Sequence, residues 1–154
     1  MRVSERVFNI IFATVDTRVR IYIKLLCFCK VKNYSNLGAI VALRLQRKYG
    51  VFISYSTVFD SSLTLKHPAS IIIGTGTKIG KNVTIFQNVT LGRSSQSLDE
   101  YPEIGDNTVI YAGAVILGGV SVGKNCIVGA NAVVTRNVPD NSVAVGVPAK
   151  VISK

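Results

Sequence analysis

The chain has 154 residues, one domain's worth with room for a terminal appendage, and 48% of them are hydrophobic, so a core can be buried. Its three cysteines, Cys27, Cys29 and Cys126, are odd in number and lack framework spacing, which argues against a disulfide scaffold and for a reducing, cytoplasmic setting. The net charge of +10 is uneven: residues 1–50 hold ten Lys/Arg against Glu5 and Asp16, a net +8, and residues 51–154 only +2.

Residues 1–50 read as a helical cap. Arg6 to Lys32 alternates apolar clusters with single cations, as one or two amphipathic helices would. Its longest apolar run, Val7 to Val15, falls far short of the roughly 20 residues that span a bilayer. Asp16 follows without a small-residue cleavage site, so no signal peptide is expected. Asn33 to Asn36 is a polar break; Leu37, Ile40, Val41 and Leu45 then fall at helical spacing, and Gly50 closes the helix. The basic charge comes without a nucleic-acid-binding motif, so no nucleic acid is expected. An acidic substrate, a peripheral contact with an anionic membrane surface, or a solvated face all fit it.

From residue 51 the period changes to six. A weak phase runs through Ile53, Phe59, Leu65 and Ile71, with Ser56, Ser62 and Pro68 in its third-following slots, and slips by two residues just after His67. A strong phase follows at Ile73, Ile79, Ile85 and Leu91, and again from Ile104 through Ile110, Ile116, Val122 and Val128 to Val134. Three residues after each of these except Leu91, where the repeat breaks, stands glycine or asparagine (Gly76, Asn82, Asn88, Asn107, Gly113, Gly119, Asn125, Asn131, Asn137), which tolerate positive φ and mark a backbone corner. The next residue is small or β-branched, from Thr77 to Val138, and points inward beside the apolar one. Neither helical nor alternating periodicity produces this; a short strand and a corner, repeated, give an all-β parallel solenoid. Arg93 to Glu103 replaces one hexapeptide and must loop out, while Pro139 and the run Gly146 to Val151 end the regular coil.

His67 is the only histidine, which rules out a zinc site of three histidines; no compact Cys/His cluster replaces one, so no metal is expected. It is also the one side chain whose ordinary pKa suits proton transfer near neutrality, although a lone histidine is equally compatible with a structural role. No nucleophile elbow, P-loop or dinucleotide fingerprint is present.

The segments Leu65–Gly74 (LKHPASIIIG) and Val83–Gly92 (VTIFQNVTLG), with Gly113-Ala114, Gly129-Ala130 and Gly146–Val151 (GVPAKV), resemble the serine acetyltransferases over residues 51–152. The resemblance implies hexapeptide acyltransferase chemistry on a left-handed parallel β-helix over residues 51–154, a homotrimer, and acetyl-CoA as co-substrate lying between subunits. It implies His67 as general base, backbone N–H groups near Gly92 as oxyanion donors, and Gly92, Ala112, Ala130, Arg136 and Lys150 along the acetyl-CoA. Two departures bear on the acceptor. Lys66 stands where the family has an acid, and Glu100-Tyr101-Pro102 where it has Arg-His-Pro. Taken with Tyr101 as flanking one acceptor, Lys66 and Glu100 would meet the zwitterion of serine with like charges. That reversal, and the short basic cap, resemble instead the polysaccharide (colanic acid and capsule) O-acetyltransferases, whose acceptor is a sugar hydroxyl. A sugar or polysaccharide acceptor is therefore expected, with serine-type transfer or a non-catalytic scaffold as alternatives. The acid that orients the base in the family falls on Phe52 here, leaving Asp60, Asp99 and Glu100 as substitutes.

Overall fold

The computed structural model describes residues 14–94 and 100–153. Two helices come first, α1 (Val15–Val31) and α2 (Ser35–Tyr49). Thr14 caps α1 by accepting the Thr17 N–H at 3.4 Å, and α2 ends on Gly50, whose left-handed backbone (φ 63°) lets its N–H reach the Gln46 carbonyl. The break between them is shorter than the sequence suggested: Ser35 and Asn36 already belong to α2, because Asn33 turns the chain at φ 57°. The Arg6–Lys32 region contributes one helix among the described residues, and its first eight residues lie outside them.

Short strands then follow in coils. The first coil is β1 (Val51–Ile53), β2 (Val58–Phe59) and β3 (Thr64–Leu65); the second is β4 (Ile71–Ile73), β5 (Lys78–Ile79) and β6 (Thr84–Ile85). The third is β7 (Thr90–Gly92), β8 (Glu103–Ile104) and β9 (Val109–Ile110); the fourth is β10 (Val115–Leu117), β11 (Ser121–Val122) and β12 (Ile127–Val128). β13 (Val133–Val134) and β14 (Ser142–Val145) begin a last coil, and β15 (Lys150–Ser153) folds back antiparallel on β14. Strands stack in parallel into three faces: A (β1, β4, β7, β10, β13), B (β2, β5, β8, β11) and C (β3, β6, β9, β12, β14).

The two inward slots of each hexapeptide fill the interior. Ile73, Ile85, Leu91, Ile110 and Ile116 are fully buried, and so are Thr77, Val83, Thr108, Ala114 and Ala132 in the small slot. Register locates both irregularities. Stacked partners are 18 residues apart in regular coils, as at Ile104 and Val122, but 20 apart at Leu65 and Ile85 and 25 apart at Ile79 and Ile104. Two residues are thus inserted between Leu65 and Ile71, on the C–A edge, and seven between Gly92 and Glu103, on the A–B edge.

The corner expectation holds on two edges and fails on the third. Asn82, Asn107 and Asn125 on the B–C edge, and Asn88, Gly113 and Asn131 on the C–A edge, all have positive φ. Gly76, Gly119 and Asn137, all on the A–B edge, do not. Space and hydrogen bonding explain them instead. A Cβ on Gly76 would lie 2.3 Å from the Tyr101 ring, one on Gly119 would lie 2.8 Å from the Glu100 carboxylate, and Asn137 Oδ1 accepts the Ser121 N–H at 2.9 Å.

The helices cover the first coil, which would otherwise be an open sheet edge. Val19, Ile23, Leu26, Val41 and Leu45 are buried in the core that continues into the β-helix. Gly38 lets the Tyr55 ring lie against α2, and Tyr55 donates to the Cys29 carbonyl at 3.2 Å. Lys30 donates to the Thr57 carbonyl and stands 4.3 Å over the Phe59 ring; burial holds its ammonium below the usual lysine range.

Candidate active site

The two-residue insertion presents His67. It lies between β3 and β4 with its side chain exposed and its backbone at φ 47°, a conformation that costs a non-glycine residue roughly 1–2 kcal/mol. Ser70, at φ 51°, completes the detour while Pro68 between them is buried. The His67 N–H donates to Asp16 Oδ1 at 3.0 Å, so the first turn of α1 holds the strained backbone from outside the coil. Asp16 was not singled out from sequence. It is the only acid between residues 14 and 50, and no periodicity links it to a residue fifty positions away.

The same edge carries more. By register, Lys66, Phe86, Tyr111 and Gly129 form one column. Ala69, Gln87, Ala112 and Ala130 form the next, because the N–H groups of Asn88, Gly113 and Asn131 donate to the Ala69, Gln87 and Ala112 carbonyls, and the inserted His67 stands out between the two columns. The His67 ring lies 6.2 Å from the Phe86 ring, which stacks on Tyr111 at 5.0 Å and 20°. Gln87 Oε1 is buried and has no hydrogen-bond partner among the described residues. Lys66 is exposed, its N–H tied to the Ile85 carbonyl at 2.8 Å. Lys150, opposite Val145 in the β14–β15 pair, stands at the far end of this column. Phe86, Tyr111 and Gln87 also escaped the sequence reading, although two aromatics in equivalent slots of consecutive coils were a usable signal.

The remaining residues sit on the A–B edge. Gly92 ends β7, Glu100 and Tyr101 return from the seven-residue insertion against Gly119 and against Gly74 and Gly76, and exposed Arg136 follows β13. Within one chain the structure therefore groups Lys66, His67, Ala112, Ala130 and Lys150 on one edge and Gly92, Glu100, Tyr101 and Arg136 on another. Within one chain Lys66 and Glu100 are on edges separated by the whole of face A, so they could flank one acceptor only across a subunit boundary. Of the acids considered as orienting partners, neither Asp60 nor Glu100 has a contact with the imidazole among the described residues. Asp60 accepts from both the Ser62 N–H and hydroxyl, which hold its carboxyl below the usual range; Glu100 lies against Gly119; Asp99 is outside the described residues. No group of three His/Cys/Asp/Glu able to hold a metal occurs among the described residues.

Fold and repeat together place the chain with the hexapeptide-repeat transferases, on the left-handed parallel β-helix. Residues 101–136 match the bacterial transferase hexapeptide (six repeats) family. Its relatives within that group are serine acetyltransferases. One from Buchnera aphidicola subsp. Schizaphis graminum is 39% identical over 126 residues, covering 80% of this chain and 48% of the relative. The serine acetyltransferase of Brucella abortus strain S19 in complex with coenzyme A superposes with a TM-score of 0.83 at 26% identity, over 96% of this chain and 59% of that one. Soybean serine acetyltransferase complexed with serine superposes with a TM-score of 0.76 at 30% identity, over 85% of this chain and 54% of that one. The chain spans about half the length of the relatives it matches in sequence. These relatives overturn the polysaccharide reading. The homologues this chain matches are serine acetyltransferases, and one solved structure it resembles is a serine acetyltransferase complexed with serine.

Proposed function

We propose that this chain is an acetyl-CoA-dependent O-acetyltransferase of the serine type, with His67 as general base. The observation that carries the reading is the backbone of His67. An exposed residue has no packing reason to occupy the left-handed region, and a sole histidine held there by a side chain from another element marks a functional position. In the reaction the imidazole takes the hydroxyl proton of serine as its oxygen attacks the thioester carbonyl. The oxyanion then collapses, the C–S bond breaks, and the proton passes to the departing CoA thiolate. Small side chains at Ala112 and Ala130 leave backbone open to a pantetheine chain along the His67 edge, and Lys150 offers a cation at its end.

The same geometry supports a homotrimer. His67 and the Gly92, Glu100, Tyr101, Arg136 group lie on the two edges that bound face A, whose outward row includes Phe52 at 45% and Ile72 at 47% exposed. Turning face A to a threefold axis buries that row and brings the His67 edge of one subunit to the insertion edge of the next, where Gly92 N–H groups serve as oxyanion donors. The test is CoA thiol release with serine and with neutral and acidic sugars as acceptors, beside His67→Ala. Serine as the best acceptor, with a loss of about 100-fold or more in His67→Ala, is expected. Turnover with sugars alone, or a variant with wild-type kcat, refutes it.

A further inference from the structure

We propose that the outward groove between α1 and α2 docks the protein on a membrane surface bearing anionic lipid headgroups. The inward stripes of both helices are buried on the first coil, yet their outward faces are not polar. Between them runs a groove of about 750 Å³, floored by Ile21, Leu25, Leu37 and Ile40 and rimmed by Arg44 and Lys48. The four aliphatics remain 42%, 37%, 44% and 51% exposed. The apolar stripe does not end with the groove. It continues along α1 to Phe28 and to Val31 at the hairpin tip, 50% and 83% exposed, so the surface is not closed off as a peptide seat would be. Contiguous apolar surface of this kind on a soluble domain marks an interaction site.

Charge selects the partner. Among the described residues no carboxylate lines the groove, and Asp16, the one acid between residues 14 and 50, is turned to His67. Residues 1–50 carry a net +8. Among the described residues no helix is long and apolar enough to cross a membrane, so the contact is peripheral. The aliphatic floor and Phe28 enter the headgroup boundary while Arg44 and Lys48 stay level with the phosphates, their stems lying along apolar surface.

The full chain is sedimented with large vesicles of phosphatidylcholine alone and of phosphatidylcholine mixed equally with phosphatidylglycerol. Binding to the mixed vesicles only, released by high salt, is expected. Arg44→Gln with Lys48→Gln should weaken partitioning by about 30-fold, two cations at roughly fivefold each. Leu37→Gln with Ile40→Gln should weaken it by about tenfold or more while leaving its salt dependence. All four positions are exposed, so circular dichroism melts should match wild type in both variants. The proposal is overturned if the wild type ignores anionic vesicles, if it binds neutral ones equally, or if neither pair of substitutions changes binding. It is also overturned if the wild type self-associates in solution and Leu37→Gln with Ile40→Gln abolishes that, which assigns the groove to a second copy.

Discussion

Replacing His67 with glycine and with alanine separates strain from chemistry at one position. Both variants lose the imidazole and its 6.2 Å contact with Phe86, so those losses cancel in the comparison. What remains is the backbone at φ 47°. Alanine there still carries the left-handed penalty of roughly 1–2 kcal/mol, which glycine escapes. Glycine gives back roughly 0.5–1 kcal/mol through the greater freedom of its unfolded chain. The glycine variant should therefore be the more stable by about 0.5–1 kcal/mol, or about 1–4 °C in Tm for a chain of this size. In an ordinary helix or strand position the order is reversed. Thermal melts at one protein concentration measure the stabilities, and thiol release from acetyl-CoA with serine measures the activities, which should fall about 100-fold or more in both variants. Alanine equalling or exceeding glycine in stability would show that His67 is not held in the left-handed region in solution. Asp16→Ala extends the test. Losing the acceptor of the 3.0 Å bond from the His67 N–H should lower kcat with His67 still in place, whereas unchanged kcat would leave Asp16 only a helix residue.

Two further outcomes concern the coil itself. A Cβ on Gly105 would stand 2.6 Å from the backbone of Gly123 in the coil above, so Gly105→Ala should cost about 1–3 kcal/mol and lower Tm by several degrees; an unchanged Tm would mean the coils can part there. The carboxyls of Asp60 and Asp106 are held below their ordinary value of 3.8, chiefly by hydrogen bonds from Ser62 and from the Lys81 N–H. Their folded values lie below the unfolded ones, so their contribution is complete above about pH 4 and is lost as pH falls through the folded values. Tm should decline below about pH 4, and less steeply in Asp60→Asn with Asp106→Asn; identical acid profiles would rule these carboxylates out as a source of acid sensitivity.

What the sequence determined by itself was the repeating unit. A six-residue period with an apolar slot, a corner and a small slot has one way to bury both slots, and each coil then covers the last; Ile73 to Leu91 and Ile104 to Val138 follow it. His67 was legible for the same reason, as the only histidine, at a break in the phase. Tertiary structure decided what lies beside what. Stacking in register brought Phe86, Tyr111 and Ala112 to the His67 edge, and the seven-residue insertion sent Glu100 and Tyr101 to another. Local pattern carries no information on which edge an excursion packs against. Lys66 and Glu100 could therefore be set side by side within one chain on paper, although all of face A separates them there. Asp16 shows the same limit: its bond to the His67 N–H exists only because α1 folds back over the first coil. That docking buries the Val19, Ile23 and Leu26 stripe of α1, and the space Gly38 leaves for Tyr55 seats α2 beside it.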